Sequence, residues 1–178
     1  NEEGWITGFV EKPPPGTAPS DLINAGVWVF EPEIVDEIPS GAVRVEETLF
    51  PSLVGRGPGV LGYRFDGLWA DLGTPASYLE LCVAVARRTG MPIVAGSATV
   101  ADDASVIKSS ISENCVIGGG AVIAGSVLWE DVHVGAGARL SDSVLADGVV
   151  IGAGAELQGV VVGSKAIVAD RARVPPGT

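Results

Sequence analysis

The 178-residue chain holds one histidine, two cysteines, and only 11 lysines and arginines against 22 aspartates and glutamates. Each scarcity excludes something. A net charge of −11 leaves too few clustered cations to grip a nucleic-acid backbone. The cysteines, Cys82 and Cys115, have no metal-like spacing and suggest no disulfide framework. No apolar run reaches the ~18 residues of a membrane span, and no charged-then-apolar leader is visible. The expectation is a soluble, cytoplasmic protein. An acidic chain that handles anionic substrates would need local cations or a metal ion.

What the chain has in abundance is glycine, 25 residues, and aliphatic side chains within a 47% hydrophobic composition. Both concentrate in a second half that repeats every 17 residues from Gly96 to Thr178. Large aliphatics fall on three columns. The first is Val100, Ile117, Val134, Ile151, Val168; the second Val106, Ile123, Leu140, Leu157, Val174; the third Ile111, Leu128, Leu145, Val162. Two residues before each member of the first two columns stands a small or slim apolar residue, as in Ala98, Cys115 and Val132, or Ala104, Ala121 and Ala138. Positions two apart in a strand face the same side, so both members of each pair point inward. Each coil is a walk of six, six and five residues around three corners, and the expected fold is a three-sided parallel β-helix of about five coils. At ~4.8 Å per stacked strand, its length is roughly 24 Å. Gly118, Gly135 and Gly152 occupy corners, where φ > 0 is expected. Cys115 falls in a small inward slot and reads as core packing. His133 and Trp129 point outward, and Trp129 marks either coil-edge packing or an interface.

The first half reads as mixed α/β. Residues 4–11 alternate like a strand that Pro13-Pro14-Pro15-Gly16 stops, Leu22–Phe30 reads as a buried strand with Asn24-Ala25-Gly26 at its mouth, and Gly59–Phe65 alternates again. Residues 32–38 suggest a short helix opened by proline. Residues 45–54 suggest a helical turn, a proline break and a second apolar turn, and residues 54–59 a surface turn. A longer amphipathic helix follows, with Thr74 as N-cap, Pro75 in its first turn, Arg87 and Arg88 in its last, and Gly90 just beyond. These pieces do not make an obvious complete sheet.

Four segments, in order, carry a resemblance: GFVEKP at 8–13, INAGVWVF at 23–30, VEETLFPSL at 45–53 and GLWADLGTPASYL at 67–79. With hexapeptide coils behind them, the set resembles the sugar-1-phosphate nucleotidyltransferases, most closely the mannose-1-phosphate guanylyltransferase branch, with glucose-1-phosphate thymidylyltransferases as the near alternative. The resemblance implies a Rossmann-like α/β nucleotidyltransferase region, here partial, over residues 1–90 and a left-handed β-helix over 91–178. The left hand comes from the resemblance, because the general crossover rule favours the right. It implies that Glu11 binds sugar hydroxyls, Lys12 the sugar phosphate, and Asn24 with the backbone of Ala25 and Gly26 the sugar. Asp71 matches an aspartate that holds Mg²⁺. Those residue types suit the tasks: a carboxylate accepts from hydroxyls, an ammonium is a point charge for phosphate, and Mg²⁺ takes one or two carboxylates with phosphate oxygens and water.

The glycine-rich phosphate loop of the G-x-G-T-R-x-x-P type is absent from these 178 residues. The expectation is therefore the sugar-phosphate half of a site in a chain that starts mid-domain, needs NTP-binding residues from elsewhere and is inactive alone. Two other readings stay open. One is a non-catalytic assembly or regulatory module, since the resemblance also implies homo-oligomers built through the β-helix. The other is a hexapeptide acyltransferase, for which His133 would be the only histidine base.

Overall fold

The computed structural model describes residues 1–10, 12–56 and 59–177. Glu11, a predicted sugar ligand, lies outside them, as do Gly57 and Pro58 of the expected 54–59 turn. The chain divides into two compact units, Asn1–Trp69 and Ala70–Thr178.

The second unit is a parallel β-solenoid of three five-stranded sheets. Its register is the 17-residue repeat: Val100, Ile117, Val134, Ile151 and Val168 are successive ladder partners. So are Val106, Ile123, Leu140, Leu157 and Val174. The third column begins one coil earlier than the repeat suggests, at Val94, and continues through Ile111, Leu128, Leu145 and Val162. One coil alone cannot bury its inner face, so stacking makes the core. Ile117, Ile123, Leu128, Leu140, Leu145 and Ile151 are all buried in a single cluster. Cys115 is buried in its small slot, where its S–H donates to the Trp129 carbonyl at 2.9 Å. Burial pushes that thiol's pKa up.

The corners differ from expectation in an instructive way. Gly118, Gly135 and Gly152 do not have positive φ; the left-handed residues are Gly120, Gly137 and Gly154, two positions later. What demands glycine at 118 and 135 is proximity. A Cβ on Gly118 would stand 2.7 Å from the Ala136 nitrogen, and one on Gly135 2.6 Å from that of Ala153, both on the next coil. A second device closes another corner. Ser109, Ser126 and Ser143 are buried and stacked. Each hydroxyl donates to the carbonyl two residues back, Ile107, Ala124 and Ser141, at 2.8, 2.9 and 2.7 Å. Each also accepts the backbone N–H one coil on, from Ser126, Ser143 and Val160.

Helix α3, Pro75–Thr89, packs on the sheet that contains Ser110–Ile111. Thr74 and Ser77 form a reciprocal capping box, Pro75 opens the helix, and Gly90 closes it at φ 72. Tyr78 meets Trp129 edge-on at 6.3 Å, and the indole N–H donates to the Tyr78 oxygen at 3.2 Å. Burial raises the Tyr78 pKa, and that N–H partly offsets the rise. Trp129 thus packs at a coil edge while staying 39% exposed.

The first unit is sparser. Helix α2, Leu49–Leu53, supplies a small core of Leu49, Phe50 and Leu53, against which Ile34 of helix α1, Pro32–Val35, packs. Pro51 does not break α2 as predicted, because it sits in the first turn, where its missing N–H has no helical partner to lose. The three expected strands are corrected as well. Among the described residues, 4–10 and 59–65 pair at a single antiparallel bridge, Trp5 to Leu61, flanked by Ile6 N–H to the Val60 carbonyl and Gly62 N–H to the Gly4 carbonyl, both 2.8 Å. Leu22–Phe30 makes no ladder pairing among the described residues, and Val29 is 95% exposed. Strand propensity is realised through neighbouring strands, and an apolar run without them stays extended but unpaired.

Candidate functional site

Phe50 is the anchor of the first unit, and three of the four motif segments reach it. Phe9 stacks on its ring at 5.0 Å, Trp28 meets it edge-on at 5.4 Å and Phe30 tilts against it at 6.1 Å. Segments 8–13, 23–30 and 45–53 are therefore joined by aromatic side chains, which prefer such offset and edge contacts. The fourth segment joins through a hydrogen bond, since the Trp69 indole N–H donates to the Ala25 carbonyl at 3.1 Å across 44 residues.

The turn Asn24-Ala25-Gly26 is exposed and held from several sides. The Asn24 Oδ1 accepts from the Gly26 backbone N–H at 2.9 Å and from the Trp28 Nε1–H at 3.2 Å. Gly26 has φ 76, and a Cβ there would meet nothing within 4 Å, so the turn requires its backbone freedom while leaving space beside it. Lys12 is exposed and sits at φ 45, a left-handed conformation that a lysine seldom takes. Asp71 is exposed, belongs to the second unit and precedes the α3 cap by three residues. No group of three or more His, Cys, Asp or Glu side chains gathers into a metal cluster among the described residues. A single exposed carboxylate is nonetheless compatible with Mg²⁺, which draws much of its shell from phosphate and water.

His133 is exposed on a coil, as its neighbours in the repeat require. A shallow recess of about 670 Å³ lies on another solenoid face, lined by Arg139, Ser141, Glu156, Gln158 and Arg173 among others. The exposed Glu156–Arg173 pair crosses it at 3.4 Å. No motif residue contributes to it.

Residues 1–88 match the family model described as nucleotidyl transferase, and residues 77–174, just over half the chain, match that of the EIF2B subunit epsilon LbH domain. The chain belongs to the nucleotidyltransferase family, with a left-handed β-helix domain. Among its relatives, a mannose-1-phosphate guanylyltransferase of Mycobacterium tuberculosis is 32% identical over 142 residues, covering 72% of this chain and 39% of the relative. A UTP–glucose-1-phosphate uridylyltransferase of Synechocystis is 31% identical over 162 residues, covering 72% and 42%. The mannose-1-phosphate guanylyltransferase catalytic subunit beta of Xenopus tropicalis is 33% identical over 78 residues, covering 44% and 21%. The chain thus spans about two fifths or less of these relatives.

The sequence pattern pointed to the Asn24 turn but missed what fixes it. The available signal was Trp28, four residues on: an indole packed on a core ring still seeks an acceptor for its one N–H, and Asn24 supplies it. Trp69 adds a second tether, to the backbone of Ala25.

Proposed function

We propose that this chain is the sugar-phosphate part of a nucleotidyltransferase that joins a nucleoside triphosphate to a sugar 1-phosphate, mannose 1-phosphate and GTP being favoured, and releases pyrophosphate. The observation that carries the reading is the meeting of four motif segments at Phe50 and Ala25. The relatives named for mannose 1-phosphate support the favoured sugar, and the one named for UTP and glucose 1-phosphate supports the reaction class. In this reading residues 1–90 are the C-terminal part of the catalytic domain and 91–178 the β-helix, through which a cytoplasmic homo-oligomer forms. Exposed apolar residues along Leu22–Phe30 support an incomplete sheet, since runs apolar on both faces belong inside one.

The reaction class sets the roles. A phosphate oxygen of the sugar 1-phosphate attacks the α-phosphorus, the new P–O bond forms in line with the breaking α–β bond, and pyrophosphate departs. Lys12 pairs with the sugar phosphate, Glu11 accepts from sugar hydroxyls, and the Asn24 turn positions the ring, so that these residues contribute orientation. Asp71 offers one hard oxygen ligand to Mg²⁺, which when bound offsets phosphate charge.

The test mixes the purified chain with Mg²⁺, GTP and mannose 1-phosphate, follows pyrophosphate release, and titrates mannose 1-phosphate and glucose 1-phosphate calorimetrically. Binding of a sugar phosphate without turnover is expected. Turnover would overturn the need for an additional nucleotide-binding segment. Loss of all sugar-phosphate binding alongside a stable oligomer would put an assembly module in place of the site, a reading favoured by the contrast between a well-buried solenoid and a sparse first unit.

A further inference from the structure

We infer that Trp28 is a positioning residue that turns the Asn24 carboxamide so that only its NH₂ group faces a ligand, making the turn a donor to an acceptor oxygen of the sugar 1-phosphate. The inference rests on the sugar-phosphate reading of this turn. A carboxamide oxygen has two lone pairs, and both are engaged at Asn24, by Gly26 N–H at 2.9 Å and Trp28 Nε1–H at 3.2 Å. What remains to the exposed side of Asn24 is a pair of N–H donors. Without Trp28 one lone pair would be vacant, and the oxygen, held by Gly26 N–H alone, would be open to a ligand hydroxyl and less firmly oriented. Trp28 is itself fixed, because its ring stands edge-on to Phe50, which is 2% exposed. The order of the unit's core therefore reaches an exposed amide through one indole. An amide held this way accepts nothing from a sugar hydroxyl and donates to an oxygen, whether hydroxyl or phosphate.

Trp28→Phe keeps a ring against Phe50 and removes only the N–H, whereas Asn24→Asp replaces the donors by oxygen. Both variants and the parent chain would be titrated with mannose 1-phosphate and with inorganic phosphate, with thermal unfolding as the fold control. The expected result is binding weakened about five- to tenfold in Trp28→Phe, the scale of one hydrogen bond, and more in Asn24→Asp, with unfolding midpoints close to the parent's. Weakening of both ligands assigns the acceptor to phosphate, and weakening of the sugar phosphate alone assigns it to a hydroxyl; each supports the inference. Parent-like affinity in Trp28→Phe overturns it. If the parent chain binds neither ligand, the sugar-phosphate reading itself is overturned. In that case the Trp28 Nε1–H resonance still reports whether the clamp exists: an indole proton that exchanges as fast as free indole removes the clamp too.

Discussion

Ser126 does two jobs with one oxygen. It donates to the Ala124 carbonyl at 2.9 Å and accepts the Ser143 N–H at 3.2 Å, at 0% exposure. Replacement by alanine removes few atoms, yet it leaves a backbone N–H buried without a partner. That omission is expected to dominate, costing about 1–3 kcal/mol. Urea unfolding of Ser126→Ala should show a lower midpoint at unchanged slope. A loss under ~0.5 kcal/mol would mean that water or a relaxed backbone satisfies the Ser143 N–H. The column 109, 126, 143 is plain in the sequence, spaced by 17. Its burial is not, because a serine near a turn is equally at home in solvent, and only the closed path of the coil shows that this corner points inward.

At the scale of the coil, three glycines that look alike in sequence hold three different positions. Gly135 has ordinary φ but no room, with backbone of the next coil 2.6 Å from any Cβ. Gly137 has room but φ 68, and Gly163 has neither constraint. Alanine substitutions are therefore expected to separate. Gly135→Ala forces the stacked coils apart and costs about 1–3 kcal/mol or more, since backbone cannot step aside as a side chain does. Gly137→Ala costs about 1–2 kcal/mol from the left-handed backbone alone, and Gly137→Asn should recover part of it. Gly163→Ala should be neutral or stabilise by up to about 1 kcal/mol, because alanine loses less freedom on folding. Thermal unfolding of the set checks the order, and equal losses at 135 and 163 would remove the stacking argument. The repeat made the inward columns and their register legible, because a period of 17 over several coils constrains every strand at once. It could not distinguish crowding from φ at the corners, which is why Gly118, Gly135 and Gly152 were expected to be left-handed. The expected strands of the first half failed for the complementary reason. Each was judged from its own residues, and Leu22–Phe30 has no neighbouring strand among the described residues to complete it.

The whole molecule joins two units of unequal construction. In the second, buried side chains from Ile111 to Val160 form one continuous cluster, and each coil adds ladder hydrogen bonds to the last. In the first, the buried cluster is Leu49, Phe50 and Leu53, with partly buried neighbours such as Phe9 and Phe30. Leu22, Ile23, Val27 and Val29 remain mostly exposed. Stability follows apolar burial, and regions with few buried contacts open at lower free energy than the core beside them. Unfolding is therefore expected in two steps, with residues 1–69 opening first. Limited proteolysis should cut early within that span, the exposed 22–29 segment being a preferred target, and leave a resistant fragment that begins near α3 and keeps the solenoid. Mass spectrometry of the fragments and a two-transition calorimetric trace would establish this. A single cooperative transition with cleavage spread evenly over both units would refute it. Sugar phosphate added at saturation provides a second reading of the same experiment: by mass action it should raise the first transition and leave the second in place, because the Asn24 turn lies in the unit that opens first.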